Sequence, residues 1–232
     1  LNTVEDPVRL SDDVLILDGS NFSRFHSQAF LMTGNSVIEW NGNQATTMKT
    51  DDPKGWEGGV AVSAYLRFLY MLSPEDNQIY KYERLTDRYS APVGYNVNGD
   101  LKGALDMAID GNVYVLKDNG TMVKLFRGEA QPYVIRKAPD GLLDGATKVF
   151  KLPEGSMYVL DSENKRVVVI SDGGAAGEAS YLRQFVLEGE QLGTLKDLYV
   201  DPDEAHLYVM DEKRVWVIDL QQTGNNASAA AQ

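Results

Sequence analysis

Apolar residues along this chain fall in short runs with turn residues between them, and four runs share one pattern. They are Phe68-Leu69-Tyr70-Met71-Leu72, Asn112-Val113-Tyr114-Val115-Leu116, Ser156-Met157-Tyr158-Val159-Leu160 and His206-Leu207-Tyr208-Val209-Met210. Aligned on tyrosines 70, 114, 158 and 208, they lie 44, 44 and 50 residues apart. A polar turn and a second apolar run follow each: residues 78–82, 122–126, 166–170 and 214–218. A more divergent copy is Ala29-Phe30-Leu31-Met32 with residues 36–40 behind it. The turns, at 33–35, 74–77, 118–120 and 161–164, carry the Gly, Asn, Asp and Pro that tight hairpins demand. Enrichment in β-branched and aromatic residues, with a turn every eight to twelve residues, points to strands rather than helical repeats.

Each of the last four copies is preceded by a glycine-led segment, at 59–62, 103–106, 145–148 and 193–196. Small residues there suit an inner strand beside a crowded central axis. Weaker fourth strands follow, for example at 132–136 and 181–185. Four antiparallel strands in a period near 44 residues predict the blade of a β-propeller. The first strands of the hairpins are apolar on both alternating faces, as expected of a sheet covered on both sides. The predicted fold is therefore all-β, a propeller of about five four-stranded blades, with six as the alternative count. The last blade lacks an outer strand. The segment at 3–10, ahead of a first inner strand at 14–17, is expected to fill that place and remove an exposed edge. The expected domain is residues 1–220, with a disordered polar tail at 221–232.

Composition narrows the partners. The formal charge of −12 disfavours nucleic acid and anionic membranes, because phosphate binding needs a basic face. There is no cysteine, which removes disulfides, thiolate metal sites and cysteine nucleophiles, and the two histidines limit histidine chemistry. No apolar run approaches the roughly 20 residues of a membrane span, so no membrane insertion is expected. The chain starts at Leu1, without methionine or a signal-like segment, and reads as a monomeric domain of a longer protein. The acidic charge and alanine-rich tail lean towards an extracytoplasmic bacterial setting.

The residues resemble NHL repeats, a blade type related to TolB-like propellers. Asp110-Gly111-Asn112-Val113-Tyr114-Val115 resembles that family's entry into its second strand. Tyr158 to Val167 resembles its following hairpin, with Asp161, Asn164 and Arg166 in order, and the stretch from Tyr208 to Val215 is a shortened copy. The resemblance covers roughly residues 58 to 220 and departs from the family at Leu116-Lys117-Asp118 and in the blade count. It implies a scaffold that binds protein, RNA or ligand, with enzymes in the minority.

In a propeller the hairpin turns share one face with the loops entering the inner strands. That face would gather Asp51, Asp52, Glu75, Asp76, Asp100, Asp118, Asp140, Asp161, Glu163, Glu190 and Asp211. Such a face could steer a basic partner or hold a divalent cation such as calcium, although no cofactor is expected; the plain alternative is that Asp is a good turn residue. Trp56, among acids, is either an exposed contact for a ligand or a packing lid. Trp40 and Trp216 are expected in the core. Asp106, Lys148 and Lys196 share an offset after their glycines, and either bind a small ligand or form an ion-paired channel lining. Asp201-Pro202-Asp203-Glu204 lacks the spaced ligands of a calcium loop and is expected to be a turn.

Glycoside cleavage needs converging carboxylates, and only Asp13 and Asp106 qualify on the axis. No nucleophile elbow, phosphate loop or paired metal histidines are present. The expected function is a non-catalytic domain binding a protein or small molecule through its acidic loop face. A hydrolase of glycosidase or lactonase kind, with its site at the channel mouth and a divalent metal as an option, is the alternative.

Overall fold

The computed structural model describes residues 2–3, 19–25, 28–33, 36–40, 44–86, 88–171, 178–189 and 191–221. They divide into two compact units: Val8–Tyr133, and Leu1–Pro7 with Val134–Gln232. Among the described residues there are five sheets, three in the former unit and two in the latter. Strand β1 (Asn2–Thr3) belongs to the two-sheet unit.

The three-sheet unit opens with β2 (Gly19–Phe25), β3 (Gln28–Thr33), β4 (Ser36–Trp40) and β5 (Ala45–Thr47), paired in sequence order. The second sheet is β6 (Ala61–Tyr65), β7 (Phe68–Ser73), β8 (Gln78–Glu83) and β9 (Val93–Gly94). The third is β10 (Ala104–Ile109), β11 (Val113–Lys117), β12 (Met122–Phe126) and β13 (Glu129–Gln131). Each is the antiparallel meander that the repeat predicts. Strand β7 shows why its sequence is apolar on both faces. Leu69 and Met71 pack with Phe30, Val37 and Met48 of the first sheet and its following loop. Tyr70 and Leu72 pack with Met107, Val113 and Val115 of the third. Successive side chains point to opposite faces of a strand, so one strand feeds two cores and neither face can be polar.

In the two-sheet unit, β14 (Val134–Arg136), β15 (Ala146–Lys151), β16 (Met157–Asp161), β17 (Arg166–Ser171) and β18 (Glu178–Val186) form a five-stranded sheet. The last sheet is β19 (Asp197–Val200), β20 (His206–Met210) and β21 (Val215–Asp219), with β1 on its outer edge. An N-terminal strand does occupy the outer edge of this sheet, but at Asn2, opposite Val217, and Thr3, opposite Trp216; residues 4–10 of the expected segment lie outside the described residues. Tyr158, Leu160, Val167 and Val169 share a core with Leu198, Val200, Leu207 and Val209.

Three expectations need correction. The inner strand before β3 is β2, while the segment at 14–17 lies outside the described residues. The stretch at 132–136 does not finish the third sheet. That place belongs to β13, and β14 pairs parallel with β18 instead. The glycines that lead the inner strands answer to their own hairpin turns. A Cβ on Gly103 (φ 73°) would stand 2.5 Å from Asp118 Oδ1, and Cβ atoms on Gly145 and Gly193 would collide with Asp161 and Glu212. Side chains of the turn fill the space that a Cβ would need. The polar tail beyond Gln221 lies outside the described residues.

Candidate functional site

The described acids of the predicted face fall into two groups. In the two-sheet unit, Asp161 is fully buried at the end of β16. It accepts hydrogen bonds from Asn164 N (3.0 Å) and Arg166 Nε (2.6 Å). Arg166 also donates to Leu142 O and Gln184 Oε1. Asp211, 4% exposed, accepts from Gly193 N, Lys213 N, Arg214 N and Trp216 Nε1, the last at 2.8 Å. Burial alone would push its carboxyl up. The donors of Trp216, Lys213, Gly193 and Arg214 outweigh burial and hold it well below the usual carboxylate range. Both residues are internal anchors of their turns, which corrects their assignment to a contact face. Glu163 does lie exposed on its turn.

In the three-sheet unit the positions equivalent to Asp161 and Asp211, three after the aligned tyrosine, hold Ser73 and Lys117, also buried. Ser73 Oγ donates to Asp76 Oδ2 (2.9 Å), and Tyr80 OH donates to the same oxygen (3.1 Å). Lys117 Nζ donates to Asp100 O (3.2 Å) and to Asp100 Oδ2 (2.8 Å). Here the buried partner is neutral or cationic and the acid points to solvent: Asp76, Asp100 and Asp118 are all exposed. The Lys117 hydrogen bond, with help from the Lys102 backbone, holds the Asp100 carboxyl below its usual range.

Of these outward acids Asp100 borders a groove of about 750 Å³, lined also by Pro74, Glu75, Asn77, Asn98 and Lys102. Its walls are tied together by amides. Asn77 Oδ1 accepts from Leu101 N (2.8 Å), and Asn77 Nδ2 donates to Gly99 O (3.1 Å). Asn96 Nδ2 donates to Asn77 O and Gly99 O, both at 2.9 Å. Leu101, fully buried, pins the entering loop into the core. The β7–β8 turn and the 96–103 loop therefore form one hydrogen-bonded rim, able to present Glu75 and Asp100 to a cation or a hydrogen-bond donor. Asn77 and Asn96 carry this arrangement without belonging to the acidic pattern. The polar residue three places after each tyrosine was the available signal for the buried anchors.

Trp56 is not an exposed contact. It is 9% exposed and packs with Val62, Leu69, Met71 and Tyr82. Tyr82 OH donates to Lys54 O (2.5 Å), holding the loop of Trp56 down, so the packing alternative describes it. Trp216 is buried as expected, and Trp40 is half-buried. Asp106 is buried in β10, opposite Leu116, just after a β-bulge. Lys148 sits half-buried after the equivalent bulge of β15, opposite Leu160. Lys196 is exposed and precedes β19, so only the first two share a place within the inner strand. The 201–204 segment is a turn: Asp201 accepts from Ala205 N, His206 N and His206 Nδ1. Asp13 and Glu190 lie outside the described residues. Among the described residues, no three His, Cys, Asp or Glu side chains are grouped to hold a metal ion, and no helix is long and apolar enough to cross a membrane.

No family model matches the chain, and no curated protein sequence matches it. Solved structures do. A Bacteroides thetaiotaomicron protein of unknown function is similar with a TM-score of 0.62 at 14% identity, over 90% of this chain and 57% of that one. The WD40 repeats of RRP9 give 0.59 at 13% identity, over 87% and 67%. The glutaminyl cyclase of Myxococcus xanthus gives 0.54 at 10% identity, over 87% and 90%. Likeness at this identity shows the fold alone: the chain is a β-propeller.

Proposed function

We propose that this propeller is a non-catalytic binding domain and that the groove beside Glu75 and Asp100 receives a basic segment of a protein partner. The observation that carries the reading is the groove itself, a preformed concave surface whose lining sets the two acids Glu75 and Asp100 against the single cation Lys102, with neutral amides between them. Exposed carboxylates attract a cationic partner over about one Debye length and fix its orientation more than its affinity. Scaffold use of this kind also fits the resemblance to NHL repeats and the likeness to WD40 repeats. The hydrolase alternative needs carboxylates converging across a bond at the channel mouth; of its two axial acids Asp106 is buried opposite Leu116 and Asp13 lies outside the described residues.

The test is calorimetric titration of the full chain with a short lysine-containing peptide and with the same peptide acetylated on its lysines. Binding of the first, weakened by salt and by Glu75→Gln with Asp100→Asn, is the expected result. Equal binding of both peptides would overturn the reading. Calcium is the competing occupant: a melting temperature that rises with calcium and loses that response in the double variant would favour it.

A further inference from the structure

The outer edges of the five sheets differ in one place. In four of them the strand next to the outermost one (β4, β8, β12 or β21) has five or six residues, and its outer neighbour pairs with two or three. Strand β18 has nine residues, and β14 pairs only with Glu178, Ala179 and Ser180. After Arg136 the chain leaves that lane, where Lys137 takes the left-handed conformation (φ 57°). Among the described residues, no strand lies on the outer side of residues 181–186, a stretch of about 20 Å.

The main chain of this stretch is ready to pair. Leu187 N donates to Lys165 O (2.8 Å), which with the β17–β18 register turns the N–H and C=O of residues 183, 185 and 187 towards β17. Alternation along an antiparallel strand then turns those of Gln184 and Val186 outward. Outward groups of this kind are a template for another strand, and proteins blunt them with lysine, proline, a bulge or a short edge. Residues 181–186 contain no lysine, proline or acid. One bulge is present, between Tyr181 and Arg183, and it leaves the three positions after Arg183 regular. Leu182 and Val186 are 51% and 57% exposed, and Phe185 is only partly covered by the core behind it. The single charge, Arg183, lies over the Phe185 ring, 5.1 Å from its centroid.

This edge is complementary to itself. A second chain placed antiparallel, with a two-fold axis beside Phe185, sets Gln184 of each copy opposite Val186 of the other. Those are the residues with outward groups, so both pairs bond reciprocally. Phe185 then faces Phe185 of the second copy, a cross-strand aromatic pair. The two Arg183 side chains stand about 14 Å apart along the strands, beyond the Debye length at physiological salt. Each β14 ends before the paired positions and leaves the lane clear. Charge favours the same place. The chain carries −12 overall, and at an edge without acids two copies can meet without setting carboxylate against carboxylate.

We infer that β18 is a self-association edge, which pairs antiparallel with β18 of a second copy of this chain, in place of the monomer expected from the sequence. The edge lies in the two-sheet unit, and the inference does not rest on the role proposed for the groove. A contact of this length falls short of the roughly 1,600 Å² of a standard interface, so the dimer is weak, with a dissociation constant between about 10 µM and 1 mM.

The test is sedimentation equilibrium of the full chain from about 10 µM to 1 mM, with backbone amide shifts followed by NMR over the same range. Mass rising from monomer to dimer, with saturable shifts centred on residues 183–186, is expected. Val186→Pro removes only an outward N–H and should weaken the dimer about tenfold or more. Leu182→Lys with Val186→Lys supplies the charges that blunt natural edges and should leave a monomer throughout, its spectrum that of the folded chain. A wild-type chain still monomeric at about 1 mM overturns the inference. So does a dimer that survives both variants, or a mass that climbs past the dimer, which is open head-to-tail growth. Shifts at 183–186 that appear only on adding an extended peptide of alternating valine and threonine, with the chain still monomeric, would assign the edge to a foreign strand instead.

Discussion

The two units solve one structural problem with opposite hydrogen-bonding roles. Three residues past the aligned tyrosine, the backbone leaves its strand and turns, and each of the four repeats places a buried polar side chain there: Ser73, Lys117, Asp161 and Asp211. In the two-sheet unit that side chain is a carboxylate, and it consumes the turn's own donors, from Asn164 and Arg166 or from Lys213, Arg214 and Trp216. Its charge is spent internally. In the three-sheet unit the buried group is a donor, so the acid it engages stands outside, at Asp76 or Asp100. Surface acidity thus depends on which member of the pair occupies the inner position, and a count of Asp and Glu in turns does not reveal it.

The comparison breaks most visibly at Asp161. Replacing it with Ala leaves Arg166 charged and partly buried, with side-chain exposure of 17% against none for its partner. Removing one member of a buried, hydrogen-bonded pair costs about 4 kcal/mol, which urea denaturation would measure as a lower midpoint at unchanged slope. A loss under about 1 kcal/mol, the value of a surface pair, would put Asp161 back among the solvated acids.

Asp211→Ala comes next, at about 3 kcal/mol, because four donors including the buried Trp216 indole lose their acceptor. This site also has a pH signature. Its carboxyl titrates lower in the folded chain than in the unfolded one. The contribution is therefore complete above the unfolded value of about 3.9 and is lost as pH falls towards the folded value. The stability difference between wild type and Asp211→Asn should be constant near neutrality and shrink below about pH 4. A difference that grew on acidification would contradict the sign of the shift.

The blades were legible because burial on both faces imposes an apolar run, and the tyrosine at its centre repeats: the strands around Tyr114 and Tyr158 have no exposed residue from 113 to 117 or from 157 to 161. The closing strand was legible from strand counting. Less legible were features fixed by contacts distant in sequence. Trp56, among acids, reads equally as a surface contact or as a packing lid, and what decides it is Tyr82, 28 residues from Lys54, which clamps its loop inward. The fourth strand of the third sheet slips to Glu129–Gln131 because β14 finds a parallel partner in β18, more than 40 residues on. The groove depends on Asn77 and Asn96, whose amides join segments about 20 residues apart and show no periodicity.

A finer test uses Lys117→Met, which keeps the buried apolar stem and removes the ammonium. The Asp100 carboxyl, held low chiefly by that group, should titrate closer to an ordinary aspartate, read from its side-chain carbon by NMR. The shift would appear without global unfolding and would loosen the 98–103 rim of the groove. An unmoved Asp100 would mean that the loop itself, and not Lys117, turns the acid outward.

The smallest effect is expected at Glu163, which shares a turn with Asp161 but is exposed. Glu163→Gln alters the net charge by the same single unit as Asp161→Asn, within three residues of the same turn. If burial and hydrogen bonding, rather than sequence position, divide the anchors from the solvated acids, Glu163→Gln should leave the urea midpoint within about 0.5 kcal/mol of wild type. Asp161→Asn should be clearly destabilised, because a neutral amide cannot neutralise Arg166. Equal effects in the two variants would mean that repulsion among the chain's many negative charges dominates at this turn. The distinction between inward and outward acids would then have no energetic content.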